Sequence, residues 1–181
     1  MRPLKTEETN LVFQKLKHYI GSNVKALLER SDGIYCFRLN KGKVYYVNEN
    51  LMKLAATMPR DSIVALGVCF GKITKGGKFL LLITALDYLH MYCQNKIWLK
   101  ESAEQNFMYG NHVHKAGLAR MSENIPKHSG VIVYSSKDIP LGFGVTAKAS
   151  VDCRRADPMD IICFHQADIG EYIRNEEDLL S

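Results

Sequence analysis

The sequence predicts an α+β protein, with a small N-terminal α+β domain packed on a C-terminal unit that is mostly β. Three observations carry this. A helical period opens the chain, β-rich pairs joined by glycine turns alternate with helical stretches up to residue 94, and short apolar runs then follow at irregular spacing. The division is placed at 1–94 for the first domain and 95–170 for the second, leaving 171–181 as an acidic tail.

The first helix starts at Thr6, a capping residue type, with Glu7 and Glu8 on the positive end of the dipole. Val12, Phe13, Leu16, Tyr19 and Ile20 share one side, and Gly21 offers a stop. Tyr35 to Leu39 and Val44 to Val47 are strands, and Asn40-Lys41-Gly42-Lys43 is the turn between them. Asn48 caps a short helix with Leu51, Leu54, Ala55 and Met58 inward, ended before Pro59. A second hairpin runs from Ile63 to Phe70, turns at Lys75-Gly76-Gly77-Lys78, and returns through Phe79 to Ile83. Thr84 and Asp87 are spaced as a capping box for a helix to about Cys93. The later strands are Ile97 to Lys100, Gly117 to Met121, Gly130 to Tyr134, Pro140 to Lys148 and Ile161 to Gln166, with one helical stretch from Ala103 to Tyr109. Short strands with turn chemistry between them suit a small barrel or sandwich.

The chain has 181 residues, 46% hydrophobic and 24% charged, which excludes wholesale disorder. The longest uninterrupted apolar stretches are short runs such as Phe79 to Ile83, far below the roughly 18 residues a membrane span needs, so no membrane partner is expected. The first residues have no apolar segment of the kind a secretory signal needs. Five scattered cysteines, none in a C-x-x-C pair, suit a reduced intracellular compartment rather than a disulfide framework. The net charge of +5 is uneven: residues 1–94 hold 14 Lys and Arg against 7 acids, residues 95–181 hold 10 against 12. A basic body with an acidic end suits contact with a polyanion.

Catalytic chemistry is not indicated. Gly71 to Lys78 (GKITKGGK) resembles a phosphate loop but lacks the Lys-Ser/Thr pair after the second glycine. It is a basic hairpin tip, so Lys72, Lys75 and Lys78 form one candidate polyanion surface. Gly142-Phe143-Gly144 lacks the third glycine and following helix of a dinucleotide site, and reads as a strand pair allowing a bulge or close backbone approach. His112 and His114 lack further zinc ligands. Cys163 sits in an apolar run, and Asp157, Asp160 and Asp168 show no partner pattern suggesting acid–base work. No metal, cofactor or catalytic residue is therefore assigned.

Residues 109–148 are the informative stretch. The succession of Gly110, Lys115, Gly117, Gly130 and Leu141-Gly142-Phe143-Gly144 resembles a PUA domain, a small β pseudobarrel of RNA-modifying and RNA-binding proteins. Along the whole chain, MRPLKTEET, YCFRL, LGVCFGKITKGGKF, ITALDYL, NKIWLK, YGNHVHKAGL, DIPLGFGV and FHQADIGEYIRNEE resemble, in order, the 60S ribosomal subunit biogenesis factors of the nuclear import protein seven family.

The resemblance implies an N-terminal α+β domain joined to a PUA domain. It implies a non-catalytic role in pre-rRNA processing and pre-60S assembly, in the nucleus and nucleolus. The partners it implies are pre-rRNA and other pre-60S assembly factors, with the chain monomeric outside the particle. PUA domains hold RNA on the glycine loop and following helix together with the last strand. That places His112, Lys115, Lys148, Arg154 and Arg155 as the RNA-binding candidates, with Lys72, Lys75 and Lys78 as a second basic surface. Single-stranded RNA is the expected target, because unstacked bases are accessible for stacking, and Phe107 and Tyr109 are candidate stacking faces. The alternative is a protein–protein adaptor with little RNA affinity.

Overall fold

The computed structural model describes residues 1–63 and 65–180, with the side chains of all of these except Arg60, Asp178 and Leu180. It divides into two units, residues 1–88 and 89–181. Val64, inside the predicted second hairpin, and Ser181, at the end of the acidic tail, lie outside the described residues.

The first unit opens with β1 (Arg2–Pro3) and α1 (Thr6–Ile20), followed by α2 (Val24–Leu28). Val12, Leu16, Tyr19 and Ile20 are buried as the helical period requires. Thr6 does not cap α1: Lys5 holds the N-cap position, and Glu8 reaches back to its backbone N–H at 2.8 Å. A six-stranded antiparallel sheet follows, built from β1, β2 (Glu29–Arg30), β3 (Gly33–Asn40), β4 (Lys43–Asn48), β5 (Val68–Ile73) and β6 (Phe79–Leu81). The β3–β4 turn puts Lys41 and Gly42 both at positive φ, the geometry that matches the twist of the flanking strands. Phe37, Tyr46, Phe70 and Tyr88 form an aromatic cluster, and the Tyr46 hydroxyl donates to Leu27 O at 2.5 Å.

The strand expected from Ile63 to Phe70 is found later in the chain, as Val68–Ile73, and two further expectations, both about helices, fail in this unit. α3 (Glu49–Ala55) is capped by Asn48, whose Oδ1 accepts from Asn50 N at 2.9 Å, but none of its residues is buried. Leu51, Leu54 and Met58 are 54%, 63% and 51% exposed, and the buried helical side chains of this unit come instead from α1, α2 and the segment Ile83 to Leu86. Second, α4 (Leu86–Tyr92) is not opened by a capping box: Thr84 lies in a preceding 3₁₀ turn and its hydroxyl donates to Cys69 O.

The second unit carries β7 (Lys96–Leu99), α5 (Glu101–Met108), β8 (Val113–His114), β9 (Leu118–Met121), β10 (Gly130–Tyr134), β11 (Pro140–Thr146), α6 (Ser150–Cys153), β12 (Ile161–Asp168), α7 (Glu171–Arg174) and α8 (Glu176–Leu180). The strands order as β8-β12-β11-β10-β7-β9, antiparallel except where β10 pairs with β7. The core is Ile97, Leu99, Phe107, Val131, Val133, Leu141, Ile162 and Cys163, with others. Gly142 and Gly144 act as read: a Cβ would meet Ala167 O at 2.2 Å and Phe164 O at 2.4 Å, and the β11–β12 register shifts between Phe143 and Gly144. Among the described residues, no helix is long and apolar enough to cross a membrane.

Candidate nucleic-acid interface

Lys115 opens a single 3₁₀ turn, Lys115–Gly117, between β8 and β9. The turn is fastened on both sides. Lys115 N donates to Asp160 O and Ala116 N to Pro158 O, both at 2.9 Å, while Lys100 Nζ reaches Ala116 O at 2.8 Å. Gly117 packs so closely on α5 that a Cβ there would sit 2.6 Å from the Ala103 Cβ. Arg154 caps the C-terminal end of α6, whose Ser150 exchanges two bonds with the backbone of Ile125. These elements enclose a groove of about 410 Å³, lined by Lys115, Arg120, Glu123, Asn124, Val151 and Arg154, among others. Three cations and one acid make it positive. The acid, Glu123, lies 3.8 Å from Arg154 with both side chains about four-fifths exposed (82% and 79%). Such a pair opens at little cost.

The other predicted contacts stand differently. Arg155 follows Arg154 and is exposed. Lys148 is not a free cation: its Nζ lies 2.5 Å from Asp160 Oδ2. That hydrogen bond raises the lysine pKa and lowers that of Asp160, which also accepts from Asp157 N. Asp160 thus has the partner that spacing alone did not disclose. His112 packs edge-on against Phe164, and its Nδ1 accepts from His165 N at 3.1 Å. His114 Nδ1 lies 2.8 Å from Met159 O. Of the two candidate stacking aromatics, Phe107 is buried in the core and Tyr109 is 68% exposed.

Nothing in the sequence around Arg120 marks it as a site residue. It is exposed on β9, pairs with Trp98 of β7 in register, and sets its guanidinium 3.9 Å from the centre of the indole.

The second basic surface lies on the first unit. Lys72 faces Lys43 across β4 and β5, and Lys75 and Lys78 lie at the β5–β6 turn, which is closed by Thr74 N donating to Lys78 O at 2.9 Å. Ile73 N donates to Gly42 O at 2.8 Å, so the β3–β4 turn with Lys41 adjoins them. Among the described residues, no ion pair involves Lys72, Lys75 or Lys78.

One compact titratable group remains. Asp168, fully buried, accepts from His165 Nε2 at 2.6 Å, Gly170 N at 2.7 Å and Arg174 Nη2 at 2.7 Å. Glu171 adjoins it, its pKa raised by burial. With Arg174 already on Asp168 and its Nη1 on Met108 O, the cluster ties α7 to β12 and to the end of α5, and Asp168 is structural. Burial pushes the Cys163 thiol up to about 12, far from a nucleophile's range.

The second unit has the architecture of a PUA domain, and the first is the unit that precedes one. Residues 95–177 match the family model of the UPF0113 PUA domain, and residues 1–83 that of the NIP7/UPF0113 pre-PUA domain. The chain belongs to the NIP7 family of 60S ribosome subunit biogenesis proteins. It is 59% identical over 179 residues to the "60S ribosome subunit biogenesis protein NIP7 homolog" of Pongo abelii, and 58% to those of Xenopus tropicalis and Mus musculus, with 99% of each chain covered. Among solved structures, a PUA domain from Aeropyrum pernix K1 matches with a TM-score of 0.63 at 12% identity, covering 99% of this chain and 91% of that one. A Pyrococcus horikoshii protein matches at 0.60, also with 12% identity, covering 97% and 98%. These two share the fold.

Proposed function

We propose that this chain acts in 60S subunit biogenesis as a non-catalytic RNA-binding factor, holding single-stranded pre-rRNA in the groove of its PUA unit. The observation that carries the reading is the juxtaposition of Lys115 and Arg154 in one positive groove. Lysine and arginine on a concave surface are what a phosphate backbone needs, and Arg155 extends the charge. Lys72, Lys75 and Lys78 supply a second surface. The setting that goes with this work is the nucleus and nucleolus, and the partners are pre-rRNA and other pre-60S factors.

The test compares two triple variants, Lys115→Gln/Arg154→Gln/Arg155→Gln and Lys72→Gln/Lys75→Gln/Lys78→Gln, in titrations against single-stranded RNA over a range of salt. With about 0.7 of salt slope per phosphate contact, the first variant flattens the slope by about two and weakens binding on the order of 50-fold at 0.15 M salt. The fold is checked by circular dichroism. If only the second triple matters, the RNA surface is on the first unit.

An adaptor role is the second reading, favoured by the exposed Leu51, Leu54 and Met58 on and after α3. If neither triple changes RNA binding, this reading replaces the first.

A further inference from the structure

One of the residues lining the groove, Arg120, is held differently from the other cations. Arg120, Trp98 and Tyr134 face one another across β9, β7 and β10 in register, and their side chains form a pile. The Trp98 and Tyr134 rings are stacked, 5.8 Å apart and 26° from parallel, with Lys96 Nζ 5.4 Å from the centre of the Tyr134 ring. The Arg120 guanidinium lies on the open face of Trp98 at 3.9 Å. Asp138, in the β10–β11 turn at positive φ, holds the pile by its edge: its Oδ1 accepts from Trp98 Nε1 at 2.5 Å and lies 3.2 Å from Arg120 Nη2. One face of the guanidinium rests on the indole and one edge meets Asp138, yet the side chain is still 63% exposed. Its outer face is therefore open, and Arg120 also lines the groove beside Lys115 and Arg154.

We infer that the outer face of Arg120 is a stacking shelf for an unpaired nucleotide base of the RNA strand whose phosphates meet Lys115 and Arg154. This rests on the RNA-binding reading above and adds to it how bases, rather than phosphates, are recognised. A flat cation fixed in plane by an indole below and a carboxylate at its side is preorganised for a second flat π system above it. An unmodified phosphate contact needs none of that scaffolding. Every base has a π face, so the shelf reads single-strandedness and not sequence. The groove's excess of only about two charges makes such a contribution matter.

Trp98 is the only tryptophan of the chain, so its emission reports the pile directly. The full chain is titrated with a labelled ten-nucleotide single-stranded RNA of mixed sequence, and with the same backbone lacking bases. Anisotropy follows binding and Trp98 emission follows the pile. The intact RNA is expected to change the emission. The abasic strand should bind about five- to tenfold more weakly, the effect of losing one stacked base, and leave the emission unchanged. Arg120→Lys, which keeps the charge and loses the plane, should lower affinity for the intact RNA to that of the abasic strand with an unaltered salt slope. If RNA binds but Arg120→Lys and the abasic strand behave like their references, the shelf is wrong and the RNA-binding reading stands. If anisotropy shows no RNA binding at all, both are wrong.

Discussion

The lysines of the β5–β6 hairpin and the cations of the PUA unit show two ways of placing positive charge. Lys72 sits near the end of β5, Lys75 and Lys78 project from a turn whose geometry is set by Thr74 and Gly77, and none of the three is in an ion pair among the described residues. Around β8, β11 and β12, most cations have an engagement of their own. Lys148 is on Asp160, Arg174 on Asp168, Arg120 on Trp98 and Asp138, and Arg154 loosely on Glu123. Formal charge is thus a poor measure of charge on offer. The first unit presents more free charge, whereas the second presents fewer cations in fixed geometry within a groove. A polyanion is attracted by the first kind and positioned by the second.

The largest effect expected from disturbing this contrast lies at Asp168. Its carboxylate is fully buried and engages His165, Gly170 and Arg174. Asp168→Asn removes the charge under two basic side chains. Breaking a buried pair costs about 3 kcal/mol at the low end of its range, appropriate here because the Arg174 side chain is 37% exposed and can rehydrate. Urea unfolding followed by Trp98 emission measures it. A loss under about 1 kcal/mol would mean that α7 is not tied to β12 through this acid.

A smaller change sharpens the comparison directly. Asp160→Asn frees Lys148 while an amide oxygen can still accept from Asp157 N. On the RNA-binding reading this converts an engaged cation into an available one. One more phosphate contact steepens the salt slope by about 0.7 and tightens single-strand binding about fourfold at 0.15 M salt. Unchanged affinity would place Lys148 off the path of the strand.

What the sequence disclosed follows a physical divide. The α1 face, the Lys41-Gly42 turn and the Asn48 cap are local, and local chemistry wrote them legibly, whereas Gly142 and Gly144 could be read as a close approach without showing that β12 is what they approach. Leu51, Leu54 and Met58 show the limit: periodicity tells which side chains share a face, but not whether anything covers it. Lys148 was visible as a cation, but its partner twelve positions on was not. Arg120 gained its significance from Trp98, which only the β7–β9 pairing brings beneath it. β8 and α6, of two and four residues, were too short for any period to declare. Of the PUA candidates, Lys115 and Arg154 come together in the groove, and the others needed long-range contacts to be judged.

The smallest effect belongs to the first unit and concerns acid. Glu8 accepts from Arg2 Nη1 and Nη2, at 2.9 and 2.6 Å, and from the Lys5 backbone N–H at 2.8 Å. The Arg2 hydrogen bonds come first and the backbone bond second in lowering its pKa to about 2 from an ordinary 4.5. A carboxylate with a depressed folded pKa stabilises the fold above its unfolded value, and the contribution is lost as pH falls from about 4.5 through about 2. Glu8→Gln never had that contribution, so its stability curve should run below wild type at neutral pH and converge with it over this window. The site is near the surface and screened, so the gap is small and should shrink further in salt. Helical circular dichroism against pH, at low and high salt, reads it. Parallel curves with a gap that persists below pH 2 would show that Glu8 acts through its shape at the start of α1 and not through its charge.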